Sequence, residues 1–235
     1  MMKLKIVQKI CIFILLFSIS VPLYAQDDIA GKKNFCMVYF SGIGCSSCKK
    51  SDPPLFNILL KEQPSVIIVE FEMHRERENA AMVAVYNSNY GSGMGIPILI
   101  FSKEESMSGN QQILTAIAGR IFGFNGLPLP DGSSSDFNAA DITALGGRPK
   151  IWRDGRILIC RGEKGNSDLL KELLLSDELP AVLERAEFEK VEPEPVLISQ
   201  GRVEFENAIK IDDWIFQWDR KKEAKTFLFY PEAER

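Results

Sequence analysis

Residues 34–48 read NFCMVYFSGIGCSSC and combine an apolar segment, two glycines and a pair of cysteines. Its first part, residues 34–41, is rich in aromatic and β-favouring side chains, which predicts a buried strand. A glycine-rich turn follows and leads into Cys45 and Cys48. From Cys48 to Glu62 the apolar residues have the spacing of a helix. The pattern therefore predicts a strand, a tight turn and a cysteine pair at the start of a helix.

The position of Cys45 indicates nucleophilic chemistry. Unpaired backbone N–H groups and the positive end of a helix dipole stabilise a thiolate at a helix N-terminus. Cys48, one turn further on, is placed to attack a mixed disulfide at Cys45. We therefore expect Cys45 to be the attacking thiol and Cys48 the resolving thiol. The neighbours expected to contact a substrate are Gly44, Ser46 and Ser47.

The same two cysteines could in principle be half of a zinc site. A structural zinc needs two further ligands. The chain has one histidine, His74, and the two other cysteines of the body, Cys36 and Cys160, are each isolated within predicted strands. The sequence therefore predicts neither a metal nor another cofactor.

Further elements alternate along the chain. Strands are predicted at residues 66–71 and 97–101, and helices at residues 76–90 and 111–121. A β-α-β-α-β-α order favours an α/β domain in which helices cover a central sheet, giving three layers.

Two motifs in the sequence resemble those of a known protein family. Residues 40–49 (FSGIGCSSCK), with Pro53 five residues after Cys48, resemble the active-site segment of the thioredoxin superfamily. Gly95-Ile96-Pro97, placed before an apolar strand, is similar to the cis-proline loop of that family. The resemblance covers residues 34–122 and implies that Ile96 and Pro97 face the cysteine pair and bind an extended substrate segment.

The resemblance also implies a function. It implies a thioredoxin-like three-layer domain with a central mixed sheet over residues 30–122, and thiol–disulfide exchange with cysteines of a client protein. A redox donor or acceptor protein, free or membrane-bound, would return Cys45 and Cys48 to their starting oxidation state after each reaction. The direction of the reaction depends on the reduction potential, which sequence does not fix.

The chain departs from the thioredoxin pattern at two positions. Gly44 stands where an aromatic residue often precedes the first cysteine, and Tyr39 stands where thioredoxins carry a buried acid that assists proton transfer. Glu70 or Glu72 could replace that acid, although the simpler expectation is that these side chains face solvent.

Pro149 competes with Pro97 for the cis position. It precedes a predicted hairpin that turns at Asp154 and Gly155, so residues 98–148 would then be an insertion within the domain. Pro97 is preferred, because it follows the second helix directly and short connections between elements are the rule.

The remainder of the chain is predicted as an irregular connection, residues 123–148, and a C-terminal extension, residues 149–235. The extension combines helical segments at residues 167–175 and 180–186 with a small antiparallel β meander after residue 195. Alternatively, residues 149–176 complete the thioredoxin-like sheet.

Residues 1–25 have the layout of a secretory signal peptide. Lysines precede an unbroken apolar run at residues 10–16, and Ala25 stands before an abrupt change to polar residues. We expect export to the periplasm or the cell exterior, or tethering to the membrane if the segment is retained. In that compartment Cys36 and Cys160 would be buried thiols or a structural disulfide.

Charge and composition narrow the classes of partner. The formal net charge is −4, and no basic cluster is interleaved with aromatic residues, so a nucleic-acid partner is not expected. Two main functions stay open: an exported thiol–disulfide oxidoreductase, and a non-enzymatic thioredoxin-fold binding module with a static Cys45–Cys48 disulfide and a C-terminal interaction region. The resemblance to exported thioredoxin-like proteins also implies a third, a dedicated partner that keeps specific thiols reduced during the maturation of haem proteins or metal sites.

Overall fold

The strand predicted at residues 34–41 lies inside a nine-stranded mixed sheet. The computed structural model describes residues 34–119, 126–185 and 187–221, so the predicted signal peptide lies outside the described residues. In chain order the strands are β1 (Phe35–Ser41), β2 (Val66–Glu72), β3 (Ile98–Ile100), β4 (Ser106–Ser108), β5 (Leu127–Pro128), β6 (Ser134–Ser135), β7 (Lys150–Arg153), β8 (Arg156–Cys160), β9 (Glu189–Lys190), β10 (Val196–Leu197), β11 (Arg202–Val203), β12 (Phe205–Ile211) and β13 (Trp214–Arg220).

The main sheet has the strand order β4-β3-β1-β2-β7-β8-β13-β12-β9. β1 and β2 run parallel with Ser41 opposite Glu72, and every other neighbouring pair in the described sheet is antiparallel. The carboxyl ends of β1 and β2 therefore meet at one edge of the sheet, and the segments that follow them leave side by side.

Five helices accompany the sheet in the described chain, besides a single 3-10 turn at Ile142–Ala144. They are α1, which runs from residue 48 to residue 62, α2 (Asn79–Tyr90), α3 (Asn110–Gly119), α4 (Ser167–Leu175) and α5 (Leu179–Glu184). The sequence predicts α1 and α4 with these bounds, whereas α2 begins three residues later than expected and α3 is described to Gly119.

Helix α1 changes its winding at the predicted proline. It is α-helical over Cys48–Asp52, π-helical over Pro53–Leu59 and α-helical again over Leu60–Glu62. Pro53 and Pro54 carry no backbone N–H, so the regular ladder of α-helical hydrogen bonds is interrupted there.

Two apolar cores lie on opposite faces of the sheet. Because side chains alternate along a strand, Tyr39 packs on one face and Phe40 on the other. The Tyr39 face is covered by α1, α3 and the β10–β11 hairpin, and the Phe40 face by α2, α4 and α5. The fold is thus mixed α/β with helices on both sides of one large sheet.

The C-terminal region continues this sheet. The hairpin predicted at Asp154 is present, with a positive φ of 49° at that residue, and β7 pairs with β2. The antiparallel pairing expected after residue 195 is present in β12 and β13, but β13 pairs with β8. These strands are therefore an extension of the central sheet and not a separate meander.

Candidate active site

The cysteine pair stands at the edge where β1 and β2 end. Cys45 and Cys48 form a disulfide, with a Cα–Cα distance of 5.2 Å. Cys45 is half-buried, whereas Cys48 is fully buried on the inner side of α1. The backbone N–H of Cys48 points at the Cys45 Sγ from 3.1 Å. An incoming thiolate can therefore reach Cys45 and not Cys48, and the same N–H would stabilise a Cys45 thiolate.

Glu72, at the end of β2, fixes the loop before Cys45. One carboxylate oxygen accepts hydrogen bonds from the N–H of Ile43 at 2.8 Å and of His74 at 2.9 Å. The other accepts from the N–H of Arg75 at 2.8 Å and of Glu76 at 3.2 Å. The His74 ring Nδ1 lies 2.9 Å from the Ile43 carbonyl oxygen. The N–H and the carbonyl group of Ile43 therefore both have a side-chain partner, Glu72 and His74 respectively.

These contacts correct the expectation for Glu72. Glu72 is buried and does not face solvent. His74 is exposed, yet its ring contacts the active-site loop. Burial acts to raise the pKa of Glu72, but the four N–H donors outweigh it and hold that pKa below its usual value. Glu72 therefore stays charged near neutral pH and keeps the loop attached to the end of β2.

The loop before β3 closes against the same turn. The Ile96–Pro97 peptide is cis, and no other cis peptide occurs among the described residues, Arg148–Pro149 included. A Cβ at Gly42 would lie 2.6 Å from the Ile96 Cδ1 and 2.9 Å from the His74 Cε1. Glycine at position 42 is thus what lets Ile96 approach the turn so closely.

Three residues predicted to contact a substrate lie around the pair. Ser46 and Gly44 are exposed beside Cys45, and Ser47 is half-buried at the first turn of α1. Gly44 has a φ of 83°, a conformation that favours glycine over any larger residue. This explains structurally why an aromatic side chain is missing at that position.

Asp52 is a buried acid that sequence reasoning missed. It follows Cys48 by one turn of α1, on the same inward face, and is fully buried. One oxygen accepts a 2.6 Å hydrogen bond from the Tyr39 hydroxyl, and the other a 2.8 Å hydrogen bond from the Ser199 N–H. Burial raises the pKa of Asp52 to about 6. Helix α1 thus places a buried carboxyl group directly against the Tyr39 hydroxyl.

The sequence contains one indication that Asp52 belongs to the site, namely its spacing from Cys48. Residues 48 and 52 are four apart, and that spacing puts both on one face of a helix. What sequence could not show is that this face turns inward, because the covering residue, Ser199, is 147 positions away.

Glu70 is the second buried carboxylate beneath α1, so the expectation that it faces solvent is wrong. The Ser41 hydroxyl donates to it at 2.6 Å and the Trp152 indole N–H at 2.9 Å. The Lys150 Nζ lies 3.7 Å away. Glu70 is fully engaged by these donors, and it ties β2 to β7.

The two other cysteines of the described chain are free thiols. Cys36 and Cys160 are both buried, so the alternative of a disulfide between them is not realised. Burial raises the pKa of each thiol. The Cys160 thiol donates to the Gly162 carbonyl oxygen at 3.1 Å. Among the described residues, Cys45 and Cys48 are therefore the two cysteines that are joined in a disulfide.

Comparison with known proteins adds no relative. No protein-family model matches the chain, and neither a curated protein nor a solved structure shows significant similarity to it. Within the described ranges no helix is long and apolar enough to cross a membrane, and no three metal-ligating side chains cluster. Function is therefore inferred from the geometry of the cysteine site.

Proposed function

We propose that the chain is an exported thioredoxin-like thiol–disulfide oxidoreductase that acts on cysteines of client proteins. One observation carries the proposal: an accessible Cys45 is disulfide-bonded to a fully buried Cys48 at the first turn of α1. This asymmetry supports an attacking role for Cys45 and a resolving role for Cys48.

The architecture supports the thioredoxin resemblance. The order β1-α1-β2-α2-β3-β4-α3 builds a mixed sheet with helices on both faces, and the cysteine pair follows β1 directly. The Ile96 side chain reaches the turn that leads to Cys45, so the two motifs that resemble the family adjoin in space. Ile96, which is partly exposed, is therefore proposed to bind the client segment beside the disulfide, and the buried Pro97 to complete that site through its cis peptide.

The exchange proceeds in two displacements. A client thiolate attacks the Cys45 Sγ, the Cys45–Cys48 bond breaks, and Cys48 leaves as a thiolate that takes up a proton. The second client thiolate then attacks the client sulfur of the mixed disulfide, and Cys45 leaves as a thiolate. The client loses two electrons, which the cysteine pair gains. Reduction of a client disulfide is the reverse sequence.

Asp52 is proposed to handle the proton of Cys48. A thiolate at the fully buried Cys48 lacks solvation, so leaving and attacking both require a proton to move. Asp52 lies one helical turn away, and its pKa of about 6 lets it both release and accept a proton near neutral pH. Tyr39 and Ser199 hold its two oxygens in place.

Export is proposed from the N-terminal sequence. Residues 1–25 have the pattern of a secretory signal, and an oxidised cysteine pair is the state expected in an oxidising compartment. Retention of this segment would tether the same domain to the membrane.

Cysteine substitutions test the proposal. Cys45→Ser should abolish turnover of a disulfide-bonded peptide, while Cys48→Ser should trap a covalent mixed disulfide between Cys45 and the peptide. Cys160→Ser is the matched control, because a serine hydroxyl can keep the hydrogen bond to the Gly162 carbonyl oxygen. Its turnover should equal that of the wild-type chain.

The reduction potential separates the two candidate functions. An oxidoreductase pair should equilibrate with glutathione or with another protein dithiol. A potential far below the glutathione pool, together with no turnover of any peptide, would instead identify a static bridge in a binding module.

A further inference from the structure

Four exposed cations surround the cysteine site. Lys49 and Lys50 are on the first turn of α1, and Arg75 and Arg77 are in the segment that follows β2. Among the described residues no carboxylate pairs with any of the four. We call this set the cationic rim.

The two halves of the rim are fixed to the same loop. The Lys49 N–H donates to the Cys45 carbonyl oxygen at 3.1 Å. The Arg75 N–H donates to Glu72, the carboxylate that also binds the Ile43 N–H. Since β1 and β2 are parallel and end in register, both cation-bearing segments leave the same edge of the sheet.

The acids nearest in sequence do not neutralise the rim. Glu76 pairs with Arg161 and Glu78 pairs with Arg148, while Glu72 is occupied by backbone N–H groups. Asp52 is buried beneath α1. The rim is therefore locally positive on a chain whose formal net charge is −4.

An apolar surface lies beside the rim. Met94 is 58% exposed, and Ile96 and Ile43 are partly exposed. Ile96 reaches the position of Gly42, next to Ile43. A protein segment that binds here would contact apolar side chains beside the disulfide. It would also lie near the cationic rim, on the first turn of α1 and on the segment after β2.

We infer that the clients of this site are protein segments that carry Asp or Glu next to the reacting cysteine. The inference rests on the proposed function for the reaction and on charge complementarity for the partner. Oppositely charged surfaces steer encounter and select against like-charged partners. Screening by salt weakens contacts between such exposed charges, so the preference should fall as ionic strength rises.

Three disulfide peptides of equal length test the inference, with acidic, neutral or basic residues flanking the cysteines. Turnover by the full mature chain is measured at about 50 mM and about 500 mM salt. We expect kcat/KM for the acidic peptide to exceed that for the neutral one by about fivefold at low salt, as for two exposed ion pairs. The basic peptide should be slowest, and high salt should compress the differences.

Charge reversal supplies the matched comparison. Lys49→Glu with Lys50→Glu, or Arg75→Glu with Arg77→Glu, leaves the rim with no net charge and should abolish the preference for the acidic over the basic peptide. Lys61→Glu with Lys103→Glu makes the same change in net charge at exposed positions beyond the opposite edge of the sheet, and should leave the ranking intact. Rates are compared as ratios within one variant, so a change in the redox pair itself cancels.

Binding is read separately from turnover. Fluorescence anisotropy of the three labelled peptides, each with its cysteines replaced by serine, reports the surface alone. Preferential binding of the acidic peptide that is lost in the rim variants supports the inference even if no peptide is turned over, an outcome that would count against the proposed function only. Equal binding of all three peptides, or equal effects of rim and control variants, overturns the inference.

Discussion

Asp52 is fully buried, and no cation among the described residues pairs with it. Its pKa is raised by burial to about 6 from an ordinary value of 3.8. The native state therefore binds this proton more tightly than the unfolded chain does. The resulting stability is fully present below pH 3.8 and is lost as the pH rises through about 6.

Asp52→Asn isolates this contribution. The amide can accept from the Ser199 N–H and donate to the Tyr39 oxygen, and Tyr39 can then donate to Ser51. Relative to this variant, the wild-type free energy of unfolding should fall by about 2 kcal/mol between pH 4 and pH 8. Glu72 titrates in both proteins and cancels. Urea denaturation at several pH values measures the difference, and a difference independent of pH would show that Asp52 is already ionised in the native state.

The sequence predicts those site residues whose position depends on residues close to them in the chain. Cys45 and Cys48 were identified by their spacing, and Ile96 by its place before Pro97. Glu72 could not be assigned, because its four backbone donors belong to two segments that come together only when β1 and β2 pair.

At the element scale, Arg153 and Arg156 of the β7–β8 hairpin cap the C-terminal end of α4. The Arg153 guanidinium donates to the carbonyl oxygens of Leu174 and Leu175. That of Arg156 donates to Leu173, Leu174 and Ser176 at 2.7–3.1 Å. The last carbonyl groups of a helix lack partners within it, so these two side chains satisfy α4 and bind it to the sheet.

We predict that Arg156→Ala lowers the free energy of unfolding by about 2 kcal/mol, since it leaves half-buried carbonyl groups without donors. Arg156→Lys should recover only part of the loss, because an ammonium group lacks the forked geometry of the guanidinium. Arg185→Ala is the control, since Arg185 is exposed and pairs with Glu172 at the surface. Urea denaturation should show a change below about 0.5 kcal/mol for it. Equal losses for Arg156→Ala and Arg185→Ala would refute the capping role.

The elements that sequence predicted well are those with a strong local signal. Asp154 and Gly155 identify the β7–β8 turn, and the apolar spacing identifies α4. By contrast, β4 is three residues long, reads Ser-Met-Ser and is identifiable only through its pairing with β3. Short strands of this kind depend on a neighbouring backbone and leave little trace in the side-chain pattern.

The sequence predicts that the first domain ends at residue 122. In the whole molecule, however, the main sheet continues with strands that lie beyond this boundary. The pairing of β2 with β7 joins the two sides through backbone hydrogen bonds, which any side chain but proline allows. The sequence offers this continuation only as an alternative for residues 149–176, and local pattern has no means of showing that β13 and β12 extend the sheet further. The interior contacts do show it: the rings of Phe56 and Trp152 lie 4.8 Å apart, and Arg220 donates to the Phe56 carbonyl oxygen at 2.5 Å.

This continuity predicts that residues 30–122 do not fold alone. Without the C-terminal strands, β2 becomes an open edge, Glu70 loses its Trp152 and Lys150 partners, and Asp52 loses the Ser199 donor. A buried carboxylate without its donors costs several kcal/mol, which is comparable to the whole stability of a small domain. The fragment should show no cooperative urea transition by near-ultraviolet circular dichroism, whereas residues 30–221, which retain every described strand, should unfold in one transition. A cooperative transition with peptide turnover in the shorter fragment would instead make residues 30–122 an independent redox domain and the C-terminal strands a separable addition.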